Sequence, residues 1–250
     1  MKPIIIGAGL SGLSLAYFFK EQGIHAIVLE ASNRAGGRIL TIREEGSIAG
    51  IEMGATWLGT KHRVLWELIQ KLGLEVEEQF LGNQAIYEPI STSPPQLVSL
   101  PPNPQPSFRI KGGTDRLIRS LMEKLDQKQI MYNKKAASII AAKDDIRVLC
   151  TDGEIILGTQ VFCTLPPNLW QSEISFDPVL PPELVDIASK THTWMGESIK
   201  VGLVYDQPFW KEENTSGTIF SNVGPLSEFY DHSNTTHNFH AIKGFLSSVY

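Results

Sequence analysis

The feature that most constrains this chain lies within its first 30 residues. A β-branched run from Lys2 to Ile6 meets Gly7-Ala8-Gly9-Leu10-Ser11-Gly12, and a helical pattern follows from Leu13 to Gln22 until Gly23 stops it. A second strand is read at His25 to Leu29. Strand, tight turn, helix and strand in so short a span make a βαβ unit, which requires parallel strands with the helix packed on one face. The turn has G-x-G-x-x-G spacing. Its first glycine permits the tight turn, the second lets a pyrophosphate approach the backbone, and the third lets the helix lie close on the strand. The helix N-terminus that follows the turn then offers free N–H groups and the positive end of the helix dipole to phosphate.

Two further segments narrow the ligand. Glu30, with Ala31 after it, stands at the end of the second strand, about 20 residues beyond the turn, where a carboxylate grips a ribose hydroxyl and repels a 2′-phosphate. Arg34-Ala35-Gly36-Gly37-Arg38 follows, two cations around a glycine pair, and suits a second contact with a pyrophosphate. From Gly7 to Glu30 alone a nicotinamide dehydrogenase also fits. The run from Arg34 to Arg38 disfavours it.

Composition places the chain among soluble globular proteins: 250 residues, 42% hydrophobic and 20% charged. With 22 basic residues against 27 acidic ones and no basic run, neither nucleic acid nor an anionic membrane is expected as a partner. The apolar stretch from Pro3 to Phe19 is too short to span a bilayer, and its glycines read as a nucleotide turn rather than a secretion signal, so a cytoplasmic protein is expected. Cys150 and Cys163 sit in apolar, strand-like segments and are expected to be buried reduced thiols.

Further along, Arg63 to Leu72 has helical periodicity and is assigned to the domain of the glycine turn. Seven of the fifteen prolines (89, 94, 95, 101, 102, 104 and 106) crowd one window, which is read as an excursion without helix or central strand. Thr114 is expected to cap a helix carrying Leu117, Leu121 and Leu125. Strand character returns at Ile139 to Cys150 and at Ile155 to Leu165, with Asp152-Gly153 as a turn signal. Ser198 to Tyr205 and His240 to Ser247 read as later strands. His232, His237 and His240 lie in a polar loop without a recognisable ligand spacing, and no metal site is expected.

The sequence resembles the flavin-containing amine oxidase family, which includes monoamine, polyamine and amino-acid oxidases. Matching segments run in family order: Ile4 to Gly12, Leu29 to Arg38, Glu52 to Gly59, Leu72 to Glu75, Lys111 to Thr114, Thr164 to Pro167, Ile174 to Pro178, Ser198 to Val201 and Pro208 to Trp210. The resemblance implies an α/β fold. A glutathione-reductase-type, Rossmann-like FAD-binding domain would take residues 1–79 and 108–170. A discontinuous mixed α+β substrate domain would take 80–107 and 171–250. It further implies that Gly7, Gly9, Leu10, Ser11, Gly12, Glu30, Ala31, Arg34, Gly36, Gly37, Arg38 and Thr164 hold FAD, with Ala136 at the adenine. Gly54, Ala55 and Thr56 would pass the isoalloxazine ring. Trp57 would stand beside the substrate cavity; an ordinary core aromatic is the alternative.

Lys200 interrupts an apolar strand, Ile199 to Val204, and a buried ammonium without partners costs several kcal/mol. In the family, the lysine of this S-x-x-K-like strand reaches flavin N5 through a water, which makes Lys200 the candidate catalytic residue. Strand alternation that points it outward is the alternative. The implied reaction is oxidation of an amine, with a hydride passed to flavin N5, hydrolysis of the imine, and reduction of O2 to H2O2. Protoporphyrinogen oxidases and carotenoid desaturases share the glycine turn and R-x-G-G-R and stay open as alternatives. Nothing here resembles the family's closing acidic-residue and glycine segment. A second chain completing the FAD site, a sequence that is a fragment of a longer one, or a non-catalytic flavin-binding module is therefore also open.

Overall fold

The computed structural model describes residues 2–103, 105–234 and 237–246. Pro104, in the proline-rich window, and Ser247, at the end of the last expected strand, lie outside the described residues. The chain divides into two compact units, residues 1–38 with 117–196 and residues 39–116 with 197–250.

The first unit is built on a seven-stranded sheet. Its order is Ile130–Met131, Ile27–Leu29, Lys2–Ile6, Ile155–Cys163, Ile146–Cys150, Ala136–Ala141 and Ser175–Asp177. Lys2–Ile6 pairs in parallel with both of its neighbours. Its Ile4, Ile5 and Ile6 are all buried, as a run of consecutive apolar residues must be in a central parallel strand covered on both faces. Helix Leu10–Glu21 buries Leu13, Ala16 and Tyr17. Gly23, at φ +73°, ends it by donating its N–H to the Lys20 carbonyl at 2.9 Å. A core of Ile4, Leu29, Ile139, Val148, Cys150 and Ile156 joins the strands. The single β segment read from Ile139 to Cys150 is in fact a hairpin, Ala136–Ala141 against Ile146–Cys150. The polar run from Lys143 to Asp145 makes the turn, closed by Ala142 N–H to the Asp145 carbonyl at 2.9 Å.

The second unit carries a six-stranded sheet in the order Lys200–Tyr205, His240–Leu246, Leu226–Asp231, Ile219–Ser221, Gln84–Glu88 and Gln96–Ser99. Beside it are a three-stranded sheet (Leu58–Gly59, Ser107–Ile110, Val76–Glu78) and the pair Thr41–Ile42 with Ile51–Glu52. By packing, helix Arg63–Lys71 lies in this unit, where it buries Leu68 and Ile69.

Three sequence expectations are corrected. The proline-rich window contains a strand, Gln96–Ser99, because Pro95 and Pro101 leave a proline-free stretch long enough for an edge position. Thr114 does not cap its helix. Its Oγ1 is buried without a partner among the described residues, while its N–H donates to Glu52 Oε1 at 2.6 Å and that of Asp115 to Thr41 Oγ1 at 3.3 Å. Distant strands thus supply the acceptors that a cap side chain would. Cys150 is buried, but Cys163 is exposed, standing at the last residue of its strand where the sheet ends. Packing divides the chain at 38/39, 116/117 and 196/197. The division by ligand given above, at 79, 107 and 170, is a separate matter and is retained as a proposal.

Candidate functional site

In the first unit the glycine turn is backbone brought very close to backbone. Gly7 has φ +103°, a conformation that side chains disfavour, and a methyl group on it would lie 2.9 Å from Thr164 Oγ1. A methyl group on Gly12 would collide with the Gly7 carbonyl oxygen. Thr164 locks the turn from below. Its hydroxyl donates to the carbonyls of Ile6 at 2.8 Å and Gly7 at 3.3 Å. The first turn of the helix has no side-chain cap at Gly9, so its N–H groups are left for a ligand.

The other predicted residues of this unit gather around the turn. Glu30 accepts the Ala8 N–H at 2.9 Å, and the N–H and hydroxyl of Ser32 at 2.8 and 2.7 Å. Gly36 N–H donates to the Ala8 carbonyl at 2.8 Å, and a methyl group on Gly37 would stand 3.4 Å from Gly9 Cα. Arg34 and Arg38, alike in sequence, differ in place. Arg34 donates to the carbonyls of Ala35 at 3.2 Å and Gly37 at 2.8 Å and so orders the loop, while Arg38 is exposed. Ala31 is exposed, and Ala136 is buried in the strand against Cys150. A backbone cradle that a Cβ would fill, open helix N–H groups and an adjacent carboxylate are a donor and acceptor set that fits a dinucleotide.

In the second unit the polar residues lie on one face of the six-stranded sheet. Antiparallel register pairs Lys200 with Phe245, Gly202 with Lys243, and Tyr230 with Lys243, which puts these side chains on one side. The segment from Ile51 to Trp57 crosses that face, since a methyl group on Gly202 would run into Ile51 and would stand 3.2 Å from Met53 Sδ. Lys200 is half-buried rather than turned to solvent. Its Nζ donates to the Gly54 carbonyl and lies 5.2 Å from the centre of the Phe245 ring. Thr56 is buried and its hydroxyl donates to the same carbonyl at 3.3 Å, while Ala55 is exposed. Trp57 packs edge-on against Tyr230 at 5.2 Å and tilted against Phe245 at 5.9 Å, and its Nε1 donates to Gln79 Oε1 at 2.9 Å.

Sequence reasoning missed a second lysine. Lys243 is 0% exposed, donates to Thr56 Oγ1 at 2.5 Å, and has its Nζ 4.5 Å from the centre of the Trp57 ring. It breaks the run from Ala241 to Leu246 just as Lys200 breaks its own strand, so the same signal was available. Glu52 and Arg109 were missed as well. The Glu52 backbone N–H donates to His232 Nε2 at 3.2 Å, and Arg109 Nη1 stands 3.1 Å from His232 Nδ1. Among the described residues no group of three or more His, Cys, Asp or Glu residues is placed to hold a metal ion.

Burial sets the protonation of this face. Desolvation raises Glu52 above its usual value, opposed by the Thr114 N–H and Lys243. Desolvation lowers Lys200, with Glu52 working against it. It pushes Lys243 down to about 6, helped by Lys200. His232 is held well below 6.5 by desolvation and then by Lys243 and Arg109. Both of its ring nitrogens face donors, which further disfavours a second proton on the ring.

A sequence model of the family described as flavin containing amine oxidoreductase matches residues 10–101 and 92–247. A probable flavin-containing monoamine oxidase A of Dictyostelium discoideum is 22% identical, aligned over 98% of this chain and 74% of its own length. An L-amino-acid oxidase of Sistrurus catenatus edwardsii is 48% identical over 82 residues, 33% of this chain and 16% of the relative. Among solved structures, wild-type putrescine oxidase bound to putrescine superposes with a TM-score of 0.83 at 21% identity, covering 98% of this chain and 75% of that one. Cyclohexylamine oxidase from Brevibacterium oxydans IH-35A does so with a TM-score of 0.83 at 16% identity, covering 99% and 75%. At these identities the likeness speaks for the fold, which is the Rossmann-like α/β architecture expected from the glycine turn. No helix of the described residues is long and apolar enough to cross a membrane.

Proposed function

We propose, because this chain belongs to the flavin-containing amine oxidoreductase family, that it is a cytoplasmic FAD-dependent oxidase of a small-molecule amine. The observation that carries the reading is the reach of Lys200 Nζ to the Gly54 carbonyl, in the segment that the resemblance assigns to the flavin ring. Bound FAD would supply a two-electron acceptor for the amine's α C–H bond and a route for those electrons to dioxygen, giving hydrogen peroxide.

In the first unit, the amides from Gly9 to Gly12 would hold the pyrophosphate and Glu30 the ribose hydroxyls. Arg38 would add its exposed guanidinium to the phosphates, with Gly36 and Gly37 giving backbone access and Ala136 and Thr164 completing the adenine and turn contacts. In the second unit, Gly54, Ala55 and Thr56 would face the ring.

The chain's own groups do the positioning. Lys200 keeps a donor at Nζ beside the Gly54 carbonyl, where it would hold a water against the ring, and burial lowers its proton affinity. Trp57, Tyr230 and Phe245 form an apolar wall that keeps bulk water from the carbon to be oxidised and favours the neutral form of the amine. A neutral amine is required because an ammonium nitrogen has no lone pair to support loss of the C–H electrons.

The test is the purified chain's yellow colour, its peroxide release with monoamines, and stopped-flow reduction of the flavin. Lys200→Met is expected to retain flavin and to slow reduction or reoxidation at least tenfold. Unchanged rates would remove Lys200 from the mechanism. Bound flavin with no reduction by any amine would favour a flavin-binding module, and reduction by carbon substrates alone would favour the desaturase-like reading.

A further inference from the structure

Lys243 has no task in the reading above, although it is a fully buried amine on the same sheet face as Lys200. The inference that follows rests on that reading's assignment of Gly54 to Thr56 to the flavin ring and of Lys200 to the reaction. Every group it uses in that site lies in the second unit.

Main chain holds the segment from Gly54 to Trp57 at its two ends. The N–H groups of Met53 and Gly54 donate to the Leu40 carbonyl at 2.8 and 3.0 Å, and Leu58–Gly59 pairs with Ser107–Ile110. Between these ties Lys243 touches two side chains in succession. Its Nζ donates to Thr56 Oγ1 at 2.5 Å and stands 4.5 Å from the centre of the Trp57 ring. Trp57 is itself fixed by Gln79, Tyr230 and Phe245, which gives Lys243 Nζ a defined seat.

Thr56 passes the contact on. A hydroxyl has one proton to give and rotates to suit its surroundings. A donor at its oxygen occupies a lone pair and turns that proton away, and here the proton goes to the Gly54 carbonyl at 3.3 Å. A hydroxyl that accepts in this way is also polarised into a better donor. The same carbonyl accepts from Lys200 Nζ. Two lysines on neighbouring strands thus meet at one carbonyl oxygen, Lys200 directly and Lys243 through a hydroxyl.

We infer that Lys243 is a positioning residue: through Thr56 it fixes the Gly54 carbonyl, and thereby the place at which Lys200 holds its donor. A methionine at this position would fill much of the same space and leave the Thr56 hydroxyl free to turn.

The link is read on the carbonyl itself, without turnover. The sequence contains two Gly-Ala pairs, Gly7-Ala8 and Gly54-Ala55, so the full chain labelled with 13C-carbonyl glycine and 15N-alanine gives one carbonyl-to-amide signal for each. The Gly7 signal, from the first unit, is the internal reference. Lys243→Met and Thr56→Val are each expected to move the Gly54 carbonyl upfield, the direction of a lost hydrogen bond, while Thr56→Ser, which keeps the hydroxyl, leaves it in place. A Gly54 signal that does not move in Thr56→Val overturns the inference whether or not Lys243→Met folds. So does one that does not move in a folded Lys243→Met, or that moves as far in Thr56→Ser as in Thr56→Val.

In turnover, Lys243→Met and Thr56→Val should each slow flavin reduction at least about fivefold, in kcat rather than KM. The double variant should be no slower than the slower single one, and in a Lys200→Met background either change should cost less than about twofold, because the residue it acts through is gone. Full, independent losses in that background overturn the inference. A chain that oxidises no amine sinks the amine-oxidase reading, while the Gly54 signal still decides whether Lys243 fixes the carbonyl.

Discussion

The turn at Gly7 to Gly12 and the sheet face that carries Lys200 and Lys243 both prepare a place for charge, with different materials. The turn uses main chain and the absence of side chains, with Gly12 pressed on the Gly7 carbonyl and Gly37 close to Gly9. Its N–H groups do not titrate, so what it offers an anion is constant with pH. The sheet face uses side chains that burial has moved from their ordinary protonation, Glu52 upwards and Lys200, Lys243 and His232 downwards. A site made of backbone tolerates pH and no added atom. One made of buried ionisable groups responds to pH as well as to shape.

The sharpest way to break this contrast is a stability profile against pH. Lys243 holds its proton up to 10.5 when unfolded and only to about 6 when folded. The unfolded chain thus binds more protons between those values, and stability should climb with pH from 6 towards 10, by on the order of several kcal/mol in all. His232, far below 6.5 in the fold, adds a climb of the same sign as pH rises through 6.5, while the raised Glu52 contributes the opposite slope from 4.5 upwards. Urea unfolding at pH 6, 7.5 and 9 measures this. Lys243→Met should flatten the upper part, and a profile already flat in the wild type would show that the sheet face is not charged as argued.

A smaller loss is expected at the turn. Gly12→Ala should unfold at about 1–3 kcal/mol less, from overpacking, with a pH profile parallel to the wild type and no flavin absorbance in the purified protein. Retained flavin would mean the cradle is looser than its contacts indicate. The mildest expected change is Glu52→Gln, below about 1 kcal/mol, because the amide oxygen still accepts the Thr114 N–H. Glu52→Ala should lose about 1–3 kcal/mol by stranding that N–H. If the two variants unfold alike in urea, the hydrogen bond is not what Glu52 provides.

Much of the first unit was legible because its signals are local. The spacing of Gly7, Gly9 and Gly12, the stop at Gly23 and the turn at Asp152-Gly153 each concern neighbours in sequence, and the strands and helix appear where they point. Non-local partners were not legible. Thr114 has the right residue type for a cap, yet Glu52 and Thr41 serve its helix from strands more than 60 residues away. Arg34 and Arg38 share one motif, but only the fold turns Arg34 onto loop carbonyls. Cys163 belongs to an apolar strand whose last residue is nonetheless exposed.

By itself the sequence determined the βαβ start, the nucleotide turn and the family, since motif order and short-range spacing carry all three. Only the tertiary structure decided that Lys243 lies beside Thr56 and Trp57, with Lys200 on the same sheet face, and that Glu52, Arg109 and His232 share their surroundings. Tertiary packing brings together residues separated by up to 191 positions in the chain, from Glu52 to Lys243, and burial then resets their protonation. Neither is written in local periodicity, because desolvation depends on everything packed around a group rather than on its neighbours in the chain.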